Sequence, residues 1–68
     1  MAFPDLAEKV EAYMALDREL GEKPMSNADL AAELADNYLA QGVITEAEVD
    51  QAIFELEKEL PYYTGRNK

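Results

Sequence analysis

Apolar residues recur with a helical period in three segments of this chain, and each segment has legible ends. The third is the clearest. Val49, Ala52, Ile53, Leu56 and Leu60 fall at the spacing of one inward stripe. Thr45 followed three residues later by Glu48 reads as a Thr-x-x-Glu capping box, with Ile44 and Val49 as the hydrophobic staple around it. Pro61 lacks a backbone N–H and its ring clashes with the preceding turn, so it is expected to stop the helix. The predicted span is 46–60. The second segment uses the same device: Ser26 caps, Asp29 takes the third position, and Met25 staples to Leu30. Its apolar arc is Leu30, Ala31, Leu34, Ala35 and Tyr38, with Leu39 at the edge. Gly42 supplies the left-handed residue that follows many helix ends, and Val43 is expected to fold back onto Tyr38. This predicts a helix over 27–41. The first segment, 5–20, places Leu6, Val10, Tyr13, Met14 and Leu20 on one face, with Gly21 and Pro24 as stop signals.

The links Gly21–Met25 and Gly42–Ile44 are short, which favours adjacent, roughly antiparallel helices. There is no alternating strand pattern, no repeat and no low-complexity run. The expected fold is all-α: a small three-helix bundle forming one domain over 1–68, with an irregular tail over 61–68. The string Gly42-Val43-Ile44-Thr45-Glu46-Ala47-Glu48-Val49 resembles a turn of many helical hairpins, among them short C-terminal SHOCT domains and small segments of nitrile hydratase-type proteins. The likeness is confined to that turn. Capping accounts for it, and no function comes with it.

Size limits what such a bundle can do. A chain of 68 residues hides only about 60% of its unfolded surface, and a core of that size rarely supplies more than about 3–5 kcal/mol net. Without cysteine or histidine, neither a disulfide nor a usual structural zinc site can help. Stability must come from helix packing, a second copy (a homodimer) or a partner. The start, Met1-Ala2-Phe3-Pro4-Asp5, has no basic region or long apolar run and does not read as a signal peptide. No stretch reaches the roughly 18 apolar residues of a membrane span. A cytoplasmic location is expected.

Charge changes the picture most. Residues 24–57 hold eight carboxylates and no lysine or arginine, inside a chain of net charge −9. They are Asp29, Glu33, Asp36, Glu46, Glu48, Asp50, Glu55 and Glu57; Glu59 follows Lys58. On the third helix Glu46, Asp50 and Glu57 fall on one flank of the apolar stripe, and Glu48, Glu55 and Glu59 on the other. Acids in the first turn are favoured by the helix dipole, and those in the last turn are disfavoured. Glu46–Asp50 and Glu55–Glu59 are like-charge i,i+4 pairs, each costing roughly 0.2–0.5 kcal/mol. Local rules broken without structural gain point toward function. One reading is a solvated face that keeps a small protein soluble. The other is a recognition surface for a basic partner, including a protein groove that otherwise holds nucleic acid. The acids of the third helix would lie about 3.3 Å apart along its axis at 1.5 Å rise per residue, against about 1.7 Å per charge for duplex DNA. A single strand is the better likeness. Asp29, Glu33 and Asp36 would extend the surface if the second helix turns them the same way.

Other residues carry alternatives. Asp17 interrupts the apolar face of the first helix; water, Arg18 or a tyrosine hydroxyl would satisfy it, or else an interface. Phe54 lies off the main stripe, where it either widens the buried arc against Tyr62 or Tyr63 or stands as an exposed anchor of the kind that dominates interfaces. Tyr38 and Asn37 are weaker candidates of that kind. Tyr62 and Tyr63, with Arg66 and Lys68, either pack back onto the bundle or stack on bases.

Catalysis is not expected: there is no histidine or cysteine, and capping explains the lone serine, Ser26. The acids lack the glycine-containing calcium loop and the Glu-x-x-His pairs of di-iron bundles, so no metal or cofactor is expected. Direct nucleic-acid binding would drive acids into a phosphate-lined groove, opposite to the charge required. The expected function is a non-enzymatic acidic binder, an inhibitor or regulator that occupies a basic groove, of a kind encoded by phages and mobile elements. Its binding set is Asp29, Glu33, Asp36, Glu46, Glu48, Asp50, Glu55, Glu57 and Glu59, anchored by Phe54 or Tyr38. The alternative is an accessory or assembly subunit that docks on a larger complex through apolar helix faces.

Overall fold

The computed structural model describes residues 3–65. Among them the chain forms α1 (Leu6–Leu20), α2 (Asn27–Ala40) and α3 (Val49–Thr64), with no strand; a single 3-10 turn, Glu46–Glu48, leads into α3. The expected all-α three-helix bundle is the fold observed.

The caps form as the sequence requires. Ser26 Oγ accepts the Asp29 N–H at 3.1 Å at the start of α2. The Thr45 N–H donates to Glu48 Oε1 at 2.8 Å, closing the box before α3. The ends of α1 and α2 are both Schellman turns. The Val43 N–H donates to the Tyr38 carbonyl at 2.9 Å and the Gly42 N–H to Leu39 at 3.1 Å. Gly42 sits at φ 78°, where a Cβ would be strained. The link after α1 is held by Asp17, whose Oδ2 accepts the Met25 N–H at 3.3 Å. That bond, rather than an interface, accounts for a carboxylate on the apolar side of α1. Arg18 pairs instead with Glu11 at 3.0 Å.

The core follows from the three stripes. α2 contributes Leu30, Ala31, Leu34, Ala35 and Tyr38; α3 contributes Ala52, Leu56 and Leu60; α1 contributes Leu6 and Val10; Ile44 closes one end. The interface between α2 and α3 is the most extensive, and α1 lies more lightly across both. Lys9 meets Asn37, and Asp17 meets Met25, so α1 and α2 run antiparallel.

Three expectations are corrected. Pro61 does not stop α3, which continues through Thr64 to Gly65 at φ 73°. Proline removes one hydrogen bond but its fixed φ is itself helical. Fully buried Leu60 anchors the turn around it. The Thr64 hydroxyl, 3.1 Å from the Leu60 carbonyl and 3.2 Å from Asn27 Oδ1, ties the extra turn to α2. The tail is thus helical over 61–64, and its last residues, Arg66 and Lys68 included, lie outside the described residues. Leu20, expected inward, is 60% exposed. Tyr62, expected to pack back, is 89% exposed.

Candidate functional site

The carboxylates of α2 and α3 were expected to act together if the helices turned them the same way. Asp29, Glu33 and Asp36 do share one exposed side of α2, as their i, i+4, i+7 spacing requires. That side borders α1: Glu33 and Asp36 both press on Tyr13, whose hydroxyl is held above its ordinary pKa first by burial and then by these two charges. The acids of α3 lie elsewhere. Glu57 lines a hollow with Ser26, Asn27 and Ala28 at the start of α2. Half-buried Glu59 acts on Tyr38 together with Asp5. Asp50 and Glu57 flank one side of α3, Glu55 and Glu59 the other. The acids are therefore distributed over more than one side of the bundle.

Some of these carboxylates have local work. Glu48 is held by Thr45 in the cap. Glu55 accepts a hydrogen bond from Gln51 Nε2 at 2.8 Å. Glu46, Asp50 and Glu57 are exposed. Among the described residues, Arg18–Glu11 is the only ion pair, although all fifteen carboxylates lie within that range. Lys9 donates to Asn37 Oδ1 at 2.8 Å, and Lys58 lies 4.4 Å from the ring centre of Phe54. Two of the few cations are thus directed at neutral groups.

The two aromatic candidates part company. Phe54 is 55% exposed on the outward side of α3, with Lys58 and Tyr62 following at i+4 and i+8. This gives a crest of two aromatic rings with a lysine between them, bordered by acids. Tyr38 is not an anchor: it is fully buried, its hydroxyl donates to the Pro4 carbonyl at 2.8 Å, and the Phe3 ring sits 5.4 Å away. Burial first, then the charge of Asp5, pushes its pKa up to about 12.

A further surface was not anticipated. Ala12, Tyr13 and Leu16 of α1 line a groove of about 340 Å³ with Lys9 and Asn37. Leu16 is 50% exposed there. The signal lay in the i, i+4, i+8 series Ala12, Leu16, Leu20, a second apolar ridge beside the main stripe.

Among the described residues no group of three or more Asp or Glu side chains is placed to hold a metal ion. No helix among them is long and apolar enough to cross a membrane. The chain matches no family model, no curated protein and no solved structure.

Proposed function

We propose that this chain is a non-enzymatic binding protein whose anionic surface engages a basic partner protein. One observation carries the reading: the carboxylates are left almost without internal counter-charges, with one exposed ion pair among the described residues. Self-repulsion of this kind destabilises a compact state and steers cationic partners toward it. The crest of Phe54 and Tyr62 between acidic flanks offers aromatic area beside negative charge, the combination that anchors interfaces. A partner whose basic surface normally takes nucleic acid would fit the charge. The spread of acids over more than one side favours a basic protein surface in general over mimicry of one continuous strand. A regulator or inhibitor encoded by a phage or mobile element is the narrower form of the proposal.

The exposed apolar side chains favour a second reading, an accessory subunit docked through its helix faces. Leu16, Leu20, Phe54 and Tyr62 are all exposed.

The two readings separate in one experiment. The immobilised chain and two variants are used to capture proteins from lysate at low and high salt. The acidic reading expects basic proteins that salt elutes and that a variant reversing exposed carboxylates of both helices, Glu33→Lys, Asp36→Lys, Asp50→Lys and Glu57→Lys, fails to retain. Glu48 is left intact because its carboxylate caps α3. Capture that resists salt and charge reversal but is lost with Phe54→Ala would replace the acidic reading with the accessory one.

A further inference from the structure

We propose that the groove between α1 and α2 is the docking site for a cationic amphipathic helix of a partner protein. This rests on the acidic-binder reading and gives it a place and a partner chemistry. The floor is apolar, made by Ala12, Tyr13 and Leu16, and half-exposed Leu16 and Leu20 continue it toward the end of α1. From residue 9 to residue 20 the ridge covers about three helical turns, on the order of 17 Å. That length suits a helix presenting anchors at i, i+3 or i+4, and i+7.

Charge complementarity selects the occupant. Beside the groove, α2 carries the exposed carboxylates Glu33, one turn before Asn37, and Asp36, next to it; after burial, both act on the Tyr13 hydroxyl, and Asp29 continues the same side of α2. The cation lining the groove, Lys9, is already bonded to Asn37 and lies 5.3 Å from the ring centre of Tyr38. Arg18 is paired with Glu11. The apolar floor thus lies beside exposed α2 carboxylates that form no ion pair, with the Lys9 ammonium turned to Asn37 at one end. A helix with leucine-like side chains on one face and lysine or arginine along its edge fills both requirements. A second copy of this chain fills only the first, because two chains of net charge −9 repel. An anionic helix or an apolar neutral one leaves the α2 carboxylates unpaired.

The test uses the full chain and three synthetic helical peptides. One has a leucine face with lysine flanks. The second keeps the leucine face and replaces lysine by glutamate. The third keeps lysine and replaces leucine by serine. Amide and methyl NMR shifts of the chain locate any contact, and titration gives affinity. The expected result is binding of the first peptide alone, with the largest shifts at Ala12, Tyr13, Leu16 and Asn37. Leu16→Ser should weaken it about tenfold, the loss of one partly buried apolar anchor. The pair Glu33→Lys, Asp36→Lys should weaken it at least as much. Val43→Ala, at an exposed apolar site outside the groove, should leave it unchanged. Far-UV circular dichroism of each variant verifies the fold. Binding of the first peptide with shifts confined to α3 would overturn the groove and leave the acidic-binder reading standing. Failure of both lysine peptides to bind at low salt would overturn both. Equal binding of the glutamate peptide would show that apolar contact alone fills the groove, and concentration-dependent dimerisation through Leu16 would make the occupant a second copy; either overturns the proposal.

Discussion

Leu34→Ala leaves the chain largely unfolded at room temperature. Leu34 is fully buried on the side of α2 that meets the other helices. Deleting a buried leucine to alanine costs about 2–5 kcal/mol, because the lost transfer energy adds to the cavity left behind. A core of this size rarely supplies more than about 3–5 kcal/mol net. The substitution therefore removes most of the margin, and no cysteine is present to form a disulfide that would hold the chain. Urea titration followed by far-UV circular dichroism should show a shortened or absent folded baseline. A cooperative transition with an unchanged midpoint would contradict the account of where the core lies. Leu56→Ala on α3 should behave alike, whereas Leu16→Ala, at a half-exposed position, should shift the midpoint little.

Alkaline pH produces the next largest effect. In the folded chain Tyr38 has its pKa raised from 10.0 to about 12, while in the unfolded chain it titrates near 10. Between those values the folded state holds a proton that the unfolded state has lost, so stability falls as pH rises. The contribution is fully present below pH 10 and is lost by about pH 12. Two pH units correspond to roughly 3 kcal/mol. Tyr13, raised in the same direction, adds to the fall. Tyr38→Phe should lower stability near neutrality by about 1 kcal/mol, since the Pro4 carbonyl loses its donor. It should also flatten the alkaline decline. Parallel declines in the two proteins would show that Tyr38 ionisation is not the cause.

The positions of the helices were legible because their ends rest on local chemistry. Ser26 and the Thr45–Glu48 pair bond to backbone within three residues, and Gly42 answers a dihedral requirement. None of these depends on what the rest of the chain does. Pro61 was misleading for the opposite reason: burial of Leu60 and the ties of Thr64 to Leu60 and Asn27 override a local rule. The same limit applies to the surface. Spacing along α2 puts Asp29, Glu33 and Asp36 on one side, but it says nothing about which neighbour that side meets. Only the packing of α1 and α3 against α2 shows that Glu33 and Asp36 border Tyr13 while Glu57 of α3 lies beside the start of α2. Tyr38 has the aromatic character of an interface anchor, yet its hydroxyl finds its acceptor at Pro4, far away in the chain. Leu16 escaped notice because the stripe Leu6, Val10, Tyr13, Met14 already explains α1. The ridge beside it becomes visible only once α2 stands next to it without covering it.

The central claim is that this surplus of carboxylates opposes folding in the free chain and is offset when a cationic partner binds. The most direct measurement is the urea midpoint of the full chain, with and without the leucine–lysine peptide, at low and at high salt. Screening weakens interactions between exposed charges, with a Debye length of about 10 Å at 0.1 M and about 3 Å at 1 M. The free chain's midpoint should therefore rise with salt. At low salt and a hundredfold excess over Kd, the peptide should add about 2.7 kcal/mol, and at the same peptide concentration that increment should fall by about half or more at high salt. A free chain indifferent to salt, or a peptide increment that salt leaves undiminished, would contradict the claim.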